Sequence, residues 1–207
     1  IGKRHATNAT VLGHQVFVYD PLVRRDVKLE HTIYDTCDAV VIATPSWVHI
    51  AGIRACIERG RHMLVEKPIA TSDHRLRELL DLAASKKLVV MVGNNLRFHP
   101  NVIGAKVRID MGHIGKPLWA SFTCAALSTK PIYLSDGVIL NTGAHEVDLA
   151  LYLLGPARVI SATANAVFDS GTEEIVAFVL QHTNGCRSTF HLDFVTRTEI
   201  REFRVIG

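Results

Sequence analysis

Four short runs in the first half of the chain are dominated by apolar residues and end at turn signals. Ala39 to Ala43 stops at Thr44-Pro45, Leu88 to Val92 stops at Gly93, Val16 to Tyr19 stops at Asp20-Pro21, and His62 to Val65 is closed by Pro68. Strands covered on both faces read this way, because neither face needs polar side chains. Between the strands the period changes to that of a helix. Ile50, Ile53, Cys56 and Ile57 recur at helical spacing ahead of Gly60, a residue suited to stopping a helix. Leu76, Leu79, Leu80 and Leu82 do the same, with Ser72 as the expected N-cap. Strand and helix in alternation predict an α/β unit with a doubly wound parallel sheet.

The texture changes near Gly93-Asn94-Asn95. A helix is expected from about Asn101 to Met111, a strand around Leu118 to Cys124, and a second helix from Ala144 to Leu154, stopped by Gly155-Pro156. Strand-length stretches follow at Val159 to Val167, Ile175 to His182, Arg187 to Val195 and Glu199 to Ile206. Asp169-Ser170-Gly171 and Thr183-Asn184-Gly185 read as turns between them. Consecutive strands joined by short turns are expected to pair antiparallel. The reading is therefore two domains: residues 1–94 as a nucleotide-type α/β domain, and 95–207 as an α+β domain with a largely antiparallel open sheet.

Composition narrows the function classes. With 207 residues and 48% hydrophobic content the chain can bury a substantial core. Its formal charge of +3 is spread among acidic residues rather than gathered in a stripe, so neither nucleic acid nor a membrane surface is an expected partner. Apolar runs fall short of the ~20 residues a bilayer-spanning helix needs. Cys37, Cys56, Cys124 and Cys186 form no C-x-x-C, which points to reduced structural thiols and a cytoplasmic setting. His145-Glu146-Val147-Asp148 has Leu149 where a zinc-binding H-E-x-x-H needs its second histidine, so no metal site is expected. Ser121, Ser128 and Ser135 lack the G-x-S-x-G context of a hydrolase nucleophile.

Three phrases in order carry more specific information: Val65-Glu66-Lys67-Pro68, the segment from Gly93 through Arg97-Phe98 to Pro100, and the segment from Asn141 through Gly143 and His145 to Asp148. The first lies at the carboxyl end of an expected parallel strand, where ligands of open α/β sheets bind. Together they resemble the E-K-P, G-x-x-x-R-F-x-P and D-x-G-x-H-x-x-D motifs of the glucose-fructose oxidoreductase / inositol dehydrogenase (Gfo/Idh/MocA) family. Thr44-Pro45-Ser46-Trp47-Val48-His49 resembles that family's T-P-x-x-x-H loop, with Ser46 where Asn is more usual. Ile1-Gly2-Lys3-Arg4-His5 resembles the last five positions of its G-x-G-x-x-G-x-x-H loop, so the chain is expected to begin in mid-motif, and to stop before the second domain is complete. Pro21 to Asp38 and Leu127 to Asp136 are shorter than the family's usual segments.

The resemblance implies a Rossmann-type domain binding NAD and an oxidoreductase acting on a secondary alcohol or ketone of a sugar, sugar acid, cyclitol or nucleotide sugar. His145 would be the proton-transfer group and Lys67 the cation that polarises the reacting oxygen. Arg97, Asn94 and Asn141 would contact substrate, and Asp148 would orient a neighbour or pair structurally. Gly2, Asp20, Thr44, Pro45, His49, Glu66, Lys67 and Asn94 would line the cofactor. Asp20 at the end of its strand favours NAD over NADP, since a carboxylate repels a 2′-phosphate; Arg24 and Arg25 are read as solvated. Asn141 stands where many members have Asp. A homo-oligomer is expected, because Ile175 to Leu180 is apolar on both faces. The alternative within the same fold is a non-catalytic dinucleotide-binding regulator.

Overall fold

The computed structural model describes residues 1–20, 27–128, 136–168 and 171–207. Two compact units divide the chain, Ile1–Gly93 and Asn94–Gly207. In the first, helix α1 (Gly2–Val11) and helix α2 (Val27–Thr36) precede strand β1 (Ala39–Ile42). Helix α3 (His49–Glu58), strand β2 (His62–Val65), helix α4 (Leu76–Ser85) and strand β3 (Val90–Val92) follow. The strands form a parallel sheet in the order β1-β2-β3. Its core is built from Ile42 of β1, Met63 and Val65 of β2, Ile53, Cys56 and Ile57 of α3, and Leu79 and Ala83 of α4. The stripe expected on α3 supplies these contacts, whereas on α4 Leu79 does so with Leu76 packed beside it, Ala83 joins them, and Leu82 of the expected stripe is 44% exposed.

Two expectations for this unit need correction. Val16 to Tyr19 joins no sheet: His14 to Asp20 has no strand assignment, and Phe17 and Val18 are 50% and 59% exposed. An apolar run becomes a strand only when a neighbouring strand takes its backbone hydrogen bonds, and neither sheet described includes this run. Ser72 does not cap α4. Arg75 occupies that position with φ +62°, and its side chain makes no capping bond.

The second unit begins with a 3-10 turn at Asn95–Phe98 and helix α5 (Pro100–Asp110), whose N-cap His99 accepts the Asn101 amide on Nδ1. Strand β4 (Trp119–Ala125) leads to a π-type turn at Ile139–Gly143, which runs directly into helix α6 (Ala144–Leu154). Strands β5 (Ala157–Asn165), β6 (Ile175–His182), β7 (Arg187–Asp193) and β8 (Ile200–Ile206) complete it. The sheet order is β5-β6-β7-β4-β8, with every pairing antiparallel except β4 with β7. Thus β7 and β8, adjacent in sequence, do not pair; β4 lies between them. The chain turns away after β7 because the Asp193 carboxylate collects the amides of Val195 and Thr196, at 2.9 and 2.7 Å. The expected turn at Asp169-Ser170 lies outside the described residues, as do Arg24 and Arg25 and much of the two short segments.

The core of this unit sits between one sheet face and helices α5 and α6. Phe122, Phe190 and Phe178 stack across neighbouring strands, with ring centroids 5.0 and 4.2 Å apart. Leu149, Ala150, Leu153 and Leu154 of α6 and Val102 of α5 pack into the same cluster. The carboxyl end of α6 is tied to the β6–β7 turn, where Asn184 donates to the Leu154 carbonyl at 2.9 Å. Among the described residues no helix is long and apolar enough to cross a membrane.

Candidate active site

In the first unit the candidate residues gather at the carboxyl edge of the parallel sheet. Glu66 and Lys67 directly follow β2, and the Lys67–Pro68 peptide is cis. The Glu66 carboxylate is well buried, 14% exposed, and takes two partners. His5, in the first half of α1, lies with Nε2 2.6 Å from Oε1, while Oε2 accepts the Lys67 amide at 3.3 Å. Gly93, just past β3, closes over the same group: a Cβ placed there would lie 3.2 Å from the carboxylate. Glu66 is therefore engaged by the protein itself, joining α1, the Lys67 turn and the end of β3.

Gly2 opens α1 beside the end of β1. A Cβ at Gly2 would meet Ala43 at 3.6 Å, an ordinary contact, so close packing against that strand does not by itself demand glycine. Thr44 and Pro45 are exposed at the carboxyl end of β1. His49 is not: its ring is 1% exposed, with Nδ1 2.8 Å from the Pro68 carbonyl oxygen and Nε2 2.9 Å from that of Thr44. Both ring nitrogens are directed at the protein's own backbone. Asp20 is exposed at the end of the segment that follows α1. The residues present fit a dinucleotide along this edge, because the start of α1 and the loops after β1 and β2 meet there.

In the second unit Asp148 is the organising group. Its carboxylate, 12% exposed, accepts from Asn94 Nδ2 at 2.7 Å, from Arg97 Nε at 2.8 Å and from Arg97 Nη2 at 2.5 Å. The guanidinium also lies over the Tyr152 ring, 5.1 Å from its centroid. This carboxylate holds the Arg97 proton still more firmly than usual, chiefly through the hydrogen bonds. Of the two readings of Asp148, orienting a neighbour is the one the geometry favours. His145 stands in the first turn of α6, with Nδ1 shielded from solvent, and Asn141 lies in the π-type turn before it. That turn is pinned at its start by Glu173, whose carboxylate accepts the Ile139 amide at 3.0 Å.

The described sequence matches two family models. Residues 4–94 match the one described as an oxidoreductase family with an NAD-binding Rossmann fold, and residues 102–207 match the GFO/IDH/MocA C-terminal domain. The chain belongs to the Gfo/Idh/MocA oxidoreductase family. Among its relatives, an inositol 2-dehydrogenase of Rhizobium meliloti (strain 1021) is 34% identical over 157 residues, which is 72% of this chain and 48% of that protein. The scyllo-inositol 2-dehydrogenase (NAD(+)) of Bacillus subtilis (strain 168) is 34% identical over 185 residues, 80% of this chain and 54% of that protein. The chain spans about half the length of these curated relatives. An inositol dehydrogenase homologue from Azotobacter vinelandii, solved with NADH and myo-inositol, shares the fold: TM-score 0.78 at 20% identity, covering 100% of this chain and 58% of that one.

Some residues around this Gfo/Idh/MocA site escaped the sequence reading. His5 was legible only as the last position of a motif, and nothing in a linear sequence pairs it with Glu66, 61 positions away. Glu146 is 1% exposed and receives Arg201 Nη2 of β8 at 2.6 Å. Burial pushes its carboxyl upward, while the guanidinium pulls it back. The available signal was a charged residue on a helix otherwise rich in Leu and Ala. Chemically, the first unit offers an ammonium-bearing turn anchored on a sheet edge; the second offers an imidazole with an ordered guanidinium and amide nearby on the same unit.

Proposed function

We propose that the protein is an NAD-dependent oxidoreductase that moves a hydride between nicotinamide and a secondary alcohol or ketone of a sugar, sugar acid, cyclitol or nucleotide sugar. The observation that carries this reading is the Lys67 turn at the carboxyl edge of the parallel sheet, held by the Glu66 carboxylate, itself bound to α1. The dinucleotide, when bound, supplies the hydride acceptor or donor. Lys67 polarises the substrate oxygen and stabilises the alkoxide charge that develops on it. His145 takes up or returns the hydroxyl proton. Arg97 and Asn94, ordered by Asp148, and Asn141 present donors to neighbouring substrate hydroxyls. Gly2, Thr44 and Pro45 hold the dinucleotide with Lys67 and Asn94, and Glu66 and His49 serve that edge from behind. Asp20 takes the adenosine ribose and disfavours the 2′-phosphate of NADP.

Cyclitols come first among the substrates, because the relatives that support this reading are inositol dehydrogenases. Residues 1–94 form the cofactor domain and 95–207 the substrate and oligomerisation domain. Association through the sheet is supported by β6, where Val176, Phe178 and Leu180 are buried while Ile175, Ala177 and Val179 on the other face stay partly open. Four free cysteines fit a reducing compartment, the cytoplasm. The test is NADH formation, followed by absorbance, on a panel of cyclitols, sugars and nucleotide sugars. Saturable dinucleotide binding without turnover on that panel would replace the enzyme with a regulator.

A further inference from the structure

His49 is buried, and both of its ring nitrogens face backbone carbonyls rather than solvent. Its Nδ1 lies 2.8 Å from the Pro68 carbonyl and its Nε2 2.9 Å from the Thr44 carbonyl. Those carbonyls belong to two different loops: Thr44 follows β1, and Pro68 closes the turn that displays Lys67 after β2. A carbonyl can only accept and a neutral imidazole carries one N–H, so the ring donates to one of the two carbonyls at a time while its plane sits between both loops. On the opposite flank of the same turn, the Glu66 carboxylate accepts the Lys67 amide and binds His5. The backbone on both sides of Lys67 is thus fixed by side chains, from Glu66 before it and from His49 after it.

We propose that His49 is a positioning residue for Lys67: it sets the height and direction of the ammonium by holding the Pro68 carbonyl to the Thr44 loop, and does not itself contact dinucleotide or substrate. The inference rests on the reading of Lys67 as the group that polarises the substrate oxygen. Lys67 reaches the reaction only through the turn its backbone forms, and a misplacement of about 1 Å at a reacting centre costs on the order of 100-fold in rate.

The test compares His49→Leu, which keeps apolar bulk and removes the ring N–H, with His49→Gln, whose amide can restore a donor between the two loops. Two readouts are taken on the full chain. The first is the rate at which trinitrobenzenesulfonate modifies Lys67, measured by peptide mass spectrometry and independent of turnover. The second is kcat on the best substrate of the panel, set against NADH affinity measured by fluorescence. The expected result for His49→Leu is Lys67 modification altered by about fivefold or more and kcat lowered by on the order of 10- to 100-fold, with NADH affinity within about threefold. His49→Gln should recover most of both. Wild-type modification kinetics in a folded His49→Leu protein would overturn the proposal, as would kcat and NADH affinity falling together with no recovery in His49→Gln. If the wild type turns over nothing on the panel, the dehydrogenase reading fails, while the modification rates still decide whether His49 positions Lys67.

Discussion

At the scale of single residues, burial and local charge decide what each side chain can do. Asp148 is the clearest case, because one mostly buried carboxylate collects Asn94 and both donors of Arg97. Asp148→Asn keeps the shape and removes the charge. Charge-assisted hydrogen bonds contribute about 1.5–3 kcal/mol each, so Arg97 should lose its fixed direction and substrate KM should rise by about tenfold or more. An unchanged KM in steady-state kinetics would mean that Arg97 and Asn94 do not meet the substrate. The cysteines give a second prediction at this scale. Burial pushes the Cys56 thiol to about 12 and the Cys124 thiol to about 11. Only a thiolate attacks a disulfide reagent, so at pH 8 both should stay unmodified in the native protein and react promptly in denaturant. Rapid native modification of peptides containing either would show that burial does not hold these thiols protonated.

At the scale of elements, strand ends and helix starts bring distant residues into register. Gly93 lies just past β3 with the Glu66 carboxylate against its Cα, so Gly93→Ala must displace that group by a few tenths of an ångström or weaken its bond to His5. Overpacking of this kind costs about 1–3 kcal/mol. Thermal unfolding should therefore shift downward, and restoring room with Glu66→Asp in the same chain should return part of the loss. Equal stability of Gly93→Ala and wild type would contradict the contact. The alternating strand and helix pattern foretold β1, β2, β3, α3 and α6 within a residue or two, since each carries an apolar face long enough to declare its period. What remained hidden depends on partners remote in sequence. Val16 to Tyr19 has strand composition but no strand pairing includes it, and β4 enters between β7 and β8 although its sequence carries no sign of that placement. The same holds for the site: Lys67, His145, Arg97 and Asn94 are visible through motif spacing. Glu66, His5 and Asp148 are motif residues too, but that Glu66 meets His5 and Asp148 meets Asn94 and Arg97 becomes visible only when helix, strand and turn are folded together.

At the scale of the whole molecule, buried carboxylates make stability depend on pH in opposite senses. Asp193 is 2% exposed, and burial alone would raise its carboxyl. The amides of Thr196 and Val195, the Thr196 hydroxyl and His191 outweigh that and hold it below the usual carboxylate range. A group depressed on folding adds stability above its unfolded value, near ~4, and loses it as pH falls through the lower folded value. Glu146, raised by burial against Arg201, favours the folded state most at low pH and loses that contribution as pH rises. Asp193→Asn should therefore lower the urea midpoint at pH 7 and flatten its fall between about pH 4 and pH 2. An acid limb as steep as that of wild type would remove Asp193 from the account.

NADH formation from NAD and inositol isomers, measured for wild type and Lys67→Met side by side, decides whether Lys67 acts at the reacting oxygen of the proposed hydride transfer. With Lys67 in that role, wild type turns over saturably and Lys67→Met loses on the order of 100-fold or more in kcat, with NAD still bound and the fold unchanged. Equal kcat in the two proteins would contradict it.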